Sequence, residues 1–121
     1  MATLNDILLG ANKLLQKDDF AEASKLYMLL INEAFENEEV FYNRAICEAD
    51  LGNYEEAFIA SNLVLKLNPN LEEMLHFRAV ASWMLNNFEL ANSDFEKAIK
   101  LGDKSAEDTY REFTKSQVLT V

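Results

Sequence analysis

The sequence predicts an all-α fold of three stacked helix pairs, and a spacing of 34 residues is the main reason. Aromatic and alanine positions recur with that spacing, namely Phe20, Tyr54 and Phe88, then Ala11, Ala45 and Ala79, then Ala23, Ala57 and Ala91. Three glycines and one proline leave little material for turns, which favours long helices joined by short connections. A repeat of this length is typical of helix pairs that stack into a solenoid.

The first pair begins with a helix from about Leu4 to Lys17. Thr3 precedes this helix and Asp6 lies in its first turn. The two residues predict a capping box, in which each side chain binds a free backbone N–H at the helix start. The second helix runs from about Phe20 to Glu33, and Asp18-Asp19 forms the turn and the cap that precede it. Apolar residues recur along both helices at the spacing of one buried face.

The central pair has the clearest turn and helix-end signals. Gly52-Asn53 forms the turn between its helices, and Asn53 is expected to cap the second one. Pro69 ends that helix, because proline cannot continue the backbone hydrogen-bond ladder. Asn70 is then expected to cap the first helix of the third pair.

The third pair opens near Leu71, turns at Asn86-Asn87 and continues from Phe88 to Lys100, with Gly102 as the stop signal. A seventh helix follows, with Ser105 and Asp108 as a second capping box. Its strongly apolar residues are Tyr110, Phe113 and Val118. A lone amphipathic helix at this place covers the exposed face of the last pair. The chain is therefore expected to be one domain, residues 1–121, with repeats at about 4–37, 38–71 and 72–103 and a capping helix at about 105–118.

The charge of the chain narrows the class of partner. With 21 acidic and 11 basic residues the net charge is -10, which disfavours nucleic acids and anionic membranes. The single cysteine, Cys47, excludes an internal disulfide framework and fits a reducing compartment. The first residues lack both a basic segment and a continuous apolar run, so neither a signal peptide nor a membrane span is expected. These observations favour the cytoplasm, with the nucleus as the alternative.

The repeated residues make the chain resemble a tetratricopeptide-repeat domain of three repeats with a C-terminal solvating helix. This resemblance implies a right-handed superhelix whose concave groove, lined by the first helix of each pair, holds an extended peptide. The chain looks most like the co-chaperone modules that bind the acidic tails of heat-shock chaperones through a carboxylate clamp. A clamp of this kind uses cationic donors at fixed spacing.

The clamp is incomplete in this sequence. Asn12 and Asn43 match the two clamp asparagines, whereas the three cationic positions hold Leu8, Glu73 and Phe77. A carboxylate at position 73 would face the carboxylate of an acidic ligand. A like-charge contact of this kind costs on the order of several kcal/mol in an interface. Binding of an acidic chaperone tail is therefore disfavoured.

The expected ligand has apolar anchors and basic residues, and it binds in the groove. Asparagine amides suit hydrogen bonds to a peptide backbone, and Phe77 is expected to be a contact residue while Trp83 packs inside. Phe77, Val80 and Trp83 form an apolar strip, with Tyr42 and Ile46 nearby. Acidic residues near this strip favour a basic ligand, namely Glu39, Asp50, Glu72 and Glu73. The predicted groove residues are Leu8, Asn12, Tyr42, Asn43, Ile46, Glu73, Phe77 and Val80.

The first functional hypothesis is thus a protein-interaction module or adaptor related to co-chaperones. The second is a structural domain that self-associates as a homodimer, as in the suppressor-of-G-two-allele family, and the third is an acidic-tail binder despite the altered clamp. An enzyme is not expected, because the chain lacks a phosphate-binding loop and a nucleophile motif. With His76 as the one histidine and Cys47 as the one cysteine, neither a metal site nor a cofactor is expected.

Overall fold

The computed structural model describes residues 1–35 and 37–119, with side chains through Gln117. Seven helices account for the regular structure of this part of the chain. They are α1 (Leu4–Gln16), α2 (Phe20–Asn32), α3 (Glu38–Asp50), α4 (Tyr54–Leu67), α5 (Glu72–Met84), α6 (Phe88–Lys100) and α7 (Lys104–Leu119). The all-α prediction is confirmed.

Successive helices pack against each other along the whole chain, so that the fold is a row of antiparallel pairs. In addition, α1 meets α3 and α3 meets α5. The first helices of neighbouring pairs therefore lie side by side and form an inner, concave wall, while α2, α4 and α6 form the outer wall. In the described part of the chain, the main contacts of each pair are to the neighbouring pairs, as in other solenoids.

The repeated alanines explain how closely the helices approach. Ala11, Ala45 and Ala79 are fully buried, as are their counterparts on the second helices, with at most 1% of the surface of any of the six exposed. A larger side chain at such a site would separate the helix axes at a cost of about 1–3 kcal/mol. The alanine spacing thus sets the geometry of the whole scaffold.

The C-terminal helix α7 packs against the third pair through aromatic rings. The ring of Phe95 stacks on that of Tyr110 at 4.9 Å and meets that of Phe113 edge-on at 5.9 Å. Trp83 contacts Phe113 at 5.4 Å and Phe88 at 5.0 Å, so its predicted packing role is confirmed. The side chain of Val118, also assigned to this contact by the sequence, lies outside the described residues.

The helix caps differ in part from those expected. Thr3 and Asp6 form the predicted capping box. Asn70, however, is not the cap of α5, since Leu71 occupies that position. For α7 the cap is Asp103, whose Oδ1 accepts a hydrogen bond from the backbone N–H of Ala106 at 3.0 Å, so the expected capping box at Ser105 is wrong. The left-handed Gly102 (φ 102°) reverses the chain and delivers Asp103 to this position.

Candidate functional site on the concave face

The two asparagines expected to bind a ligand are hydrogen-bonded to each other. Asn43 Nδ2 donates to Asn12 Oδ1 at 3.1 Å, and the hydroxyl of the buried Tyr27 donates to the same oxygen at 2.6 Å. Asn12 Nδ2 in turn donates to Glu39 Oε1 at 3.0 Å. Asn43 is only 9% exposed. The amides therefore join α1, α2 and α3, and a ligand would have to replace these partners in order to use them.

Leu8 lies in the core of the first repeat. It is 9% exposed and packs in one apolar cluster with Ala11, Ala23 and Tyr27. The position that holds a lysine in the co-chaperone clamp therefore offers little surface to a ligand here.

The third repeat supplies the accessible part of the concave face. Glu73 is exposed, and Phe77 is half-buried one turn further along α5. Together with His76, Asp103 and other residues they line a cavity of about 430 Å³ between the start of α5 and the α6–α7 turn. An acidic and an aromatic side chain thus line the same cavity.

Tyr42 connects this cavity to the second repeat. Burial is the first cause that raises the pKa of its phenol above the usual value near 10, and the adjacent Glu73 carboxylate is the second. Tyr42, Phe77 and Val80 are all half-buried and pack against the same core cluster, while Ile46, also half-buried, lies one turn after Tyr42 on α3. The structure therefore brings the predicted apolar residues of the second and third repeats to one wall.

Acidic side chains also lie close together near the end of α3. Burial and the nearby charge of Asp18 raise the pKa of Asp50 above the usual value of a carboxyl group. Burial is the larger cause, and the repulsion between the two carboxylates adds to it. A cation between Asp18 and Asp50 would reduce this repulsion.

The single histidine has a structural position. His76 Nε2 lies 3.0 Å from Thr109 Oγ1, and its Nδ1 lies 3.5 Å from Asp103 Oδ2. His76 thus ties α5 to the first turns of α7. Among the described residues, no group of three His, Cys, Asp or Glu side chains is arranged to hold a metal ion.

Sequence reasoning missed two arginine contacts that link adjacent helices. Arg78 forms a forked salt bridge with Asp94 of α6, with Nε–Oδ2 and Nη2–Oδ1 distances of 2.7 and 2.8 Å, and its Nη1 donates to Asn62 of α4. Arg44 pairs with Glu56 at 3.1 Å rather than with Glu48, its neighbour one turn away on α3. The sequence contains a signal for these contacts, because both arginines precede a repeat alanine and are 34 residues apart.

The part of the chain with described coordinates contains no helix that is long and apolar enough to cross a membrane.

Comparison with known proteins agrees with the architecture. Residues 38–71 match the tetratricopeptide repeat family. The rice (Oryza sativa subsp. japonica) protein SGT1 homolog is 27% identical over 95 residues, which are 78% of this chain and 26% of that protein. The chain thus spans about a quarter of the length of this relative.

Two solved structures share the whole arrangement of helices. The first tetratricopeptide-repeat domain of Spaghetti (RPAP3), bound to the HSP90 peptide SRMEEVD, superposes with a TM-score of 0.79 at 21% identity, covering 95% of this chain and 93% of that one. The Hsp90 co-chaperone Cns1 from Saccharomyces cerevisiae gives a TM-score of 0.80 at 25% identity, covering 97% of this chain and 40% of that one. Residues 38–71 thus match a tetratricopeptide repeat, and the seven helices have the fold of three such repeats with a capping helix, similar to the repeat modules of co-chaperones.

Proposed function

We propose that the chain is a protein-interaction module, related to co-chaperones, that binds a basic, apolar segment of a partner protein along its concave face. The observation that carries this proposal is the exposed Glu73 beside Phe77, at two positions where a carboxylate clamp has cations. An exposed carboxylate next to an aromatic ring suits a Lys or Arg that is flanked by an apolar residue. Tyr42, Ile46 and Val80 extend the apolar wall.

The asparagines have a supporting role in this proposal. Asn12 and Asn43 are engaged with Tyr27 and Glu39, so they hold the first two repeats in position while the ligand contacts the wall beside them. Leu8 packs in the core of the first repeat and stabilises that repeat rather than the wall. The binding energy is expected to come from a few anchors, as is common at protein interfaces.

The acidic-tail hypothesis is the natural competitor, because the RPAP3 domain binds a peptide that ends in Glu-Glu-Val-Asp. In this chain the corresponding surface carries Glu72 and Glu73, whose charges act on Tyr42. Two acids facing the acids of a ligand repel it. We therefore propose that the peptide SRMEEVD does not bind measurably.

A random peptide library displayed on phage tests the proposal directly. Selection on the immobilised chain should enrich peptides that combine Lys or Arg with large apolar residues. Recovered peptides, labelled with fluorescein, should bind at least roughly tenfold more weakly to Phe77→Ala and to Glu73→Lys, because each variant removes one anchor. Glu112→Lys changes the charge equally on the exposed face of α7 and should leave binding unchanged.

Two binding results would contradict the proposal. If the recovered peptides bind the Phe77 and Glu73 variants as tightly as the original chain, the concave wall is not the site. Tight binding of SRMEEVD in the same anisotropy assay would instead support the chaperone-tail function.

Self-association is the second candidate function. Leu9, Met28 and Leu29 on the first two helices are exposed, with Leu9 at 60%, and apolar residues of this size on a surface favour contact with another protein. Light scattering over a concentration series measures it. A mass that rises with concentration and falls in Leu9→Ser supports a homodimer, whereas a constant monomer mass excludes one.

A further inference from the structure

A second groove lies on the outer wall, away from the concave face. It has a volume of about 720 Å³ and runs between α4 and α6, with α5 beneath it. Its apolar lining includes Phe58, Ile59, Leu63, Leu75 and Leu90. The groove is therefore formed by the junction of the second and third repeats.

The α4 side of this groove is apolar and accessible. Ile59 and Leu63 are one helical turn apart, and 51% and 42% of their respective surfaces are exposed. Leu67, one turn further on, continues the stripe. A row of large aliphatic side chains along one helix, next to an open groove, has the geometry of a helix-binding or peptide-binding site.

The charge of the groove is opposite to that of the rest of the chain. Lys66 and Lys97 line it, and Lys97 Nζ reaches the carbonyl of Pro69 at 3.0 Å across the rim. Arg78 lies deeper, where Asp94 neutralises it at 2.7 Å. Two cationic side chains thus stand beside the apolar stripe in a chain whose net charge is -10.

We propose that this outer groove binds an acidic amphipathic segment of a second partner protein. Apolar side chains of the segment pack on Ile59 and Leu63, and its Asp or Glu residues pair with Lys66 and Lys97. Charge complementarity selects this chemistry, since a basic segment would meet two lysines here. The domain would then bind two ligands of opposite charge, one on each wall.

The same kind of peptide-display selection tests the outer groove, with acidic peptides as the readout. Peptides rich in Asp, Glu and large apolar residues should be recovered at low salt. They should bind roughly tenfold more weakly to Lys66→Glu/Lys97→Glu, because two favourable ion pairs become repulsive. Ile59→Ser/Leu63→Ser should weaken them as well, while Phe77→Ala on the concave wall should have no effect.

The matched control reverses two lysines outside the groove. Lys17→Glu/Lys115→Glu gives the same net charge as the groove variant and should retain binding. Thermal unfolding followed by circular dichroism verifies that all variants are folded.

Three results would overturn the proposal. They are the absence of an acidic, apolar peptide pool, equal loss of binding in the groove and control variants, and a homodimer in light scattering that the Ile59/Leu63 variant dissociates. The last result would make a second copy of this chain the occupant.

Discussion

Replacement of Asp94 by alanine should be among the most destabilising changes in the chain. The Asp94 carboxylate accepts two hydrogen bonds from Arg78, at 2.7 and 2.8 Å, and only 4% of its side chain is exposed. Loss of one partner of a buried ion pair costs about 3–5 kcal/mol, because the other charge stays in a poorly hydrated place. Arg78 keeps its bond to Asn62 and is 21% exposed, which places the expected cost near the lower end, at about 3 kcal/mol.

Urea unfolding monitored by circular dichroism measures this cost, and the melting temperature should fall by roughly 10 °C. Arg111→Ala is the matched control, since Arg111 pairs with Glu107 at 3.3 Å on an exposed face and should change stability by less than about 0.5 kcal/mol. Arg78→Met/Asp94→Leu should restore most of the loss by replacing both charges with apolar groups. A cost below about 1 kcal/mol for Asp94→Ala would refute the reasoning, because the pair would then be hydrated in solution.

Two further predictions concern alkaline pH and the capping helix. Burial raises the pKa of both Cys47 and Tyr27 to about 12, from values near 9 and 10, so the folded chain keeps these groups neutral while the unfolded chain ionises. The stability present below pH 9 should therefore be lost as pH rises from about 9 to 12, by up to about 1.4 kcal/mol per pH unit for each group. Cys47→Ala should move the onset toward pH 10 in urea titrations, whereas constant stability up to pH 11 would contradict the burial argument. Asp103→Ala should cost about 1–2 kcal/mol and speed amide exchange in α7, because it removes both the cap at Ala106 and the partner of His76. Hydrogen-exchange mass spectrometry checks this with the exposed Asp108→Ala as control, and equal protection of α7 in both variants would disprove the capping role.

Helix positions could be read from the sequence because they depend on local periodicity. The predicted Phe88–Lys100 helix has the observed bounds, and α1 and α2 each end one residue earlier than expected. The positions of buried alanines followed from the same 34-residue spacing. Local patterns are sufficient where the structure repeats itself.

Side-chain partners could not be read in this way. Asn12 and Asn43 are 31 residues apart in sequence yet share a hydrogen bond, so two amides expected to face a ligand hold helices together instead. Arg44 bypasses Glu48 on its own helix because Glu48 already accepts hydrogen bonds from Ser24 and Asn53. Such competition between partners depends on the distances between helices, which a single sequence does not contain.

The hydrogen-bonded junctions have a mechanical consequence. Alanine contacts fix how far apart two helices lie, but they allow sliding and rotation, whereas a forked arginine or a shared amide fixes direction as well. The first and second repeats are joined by Asn12, which bonds to Tyr27 and Asn43, and by Glu48, which bonds to Ser24. The second and third repeats are joined by Arg78, which bonds to Asn62 and Asp94. Under tension applied at its ends, the chain should resist as a stiff rod and then yield one junction at a time, each with its own rupture force.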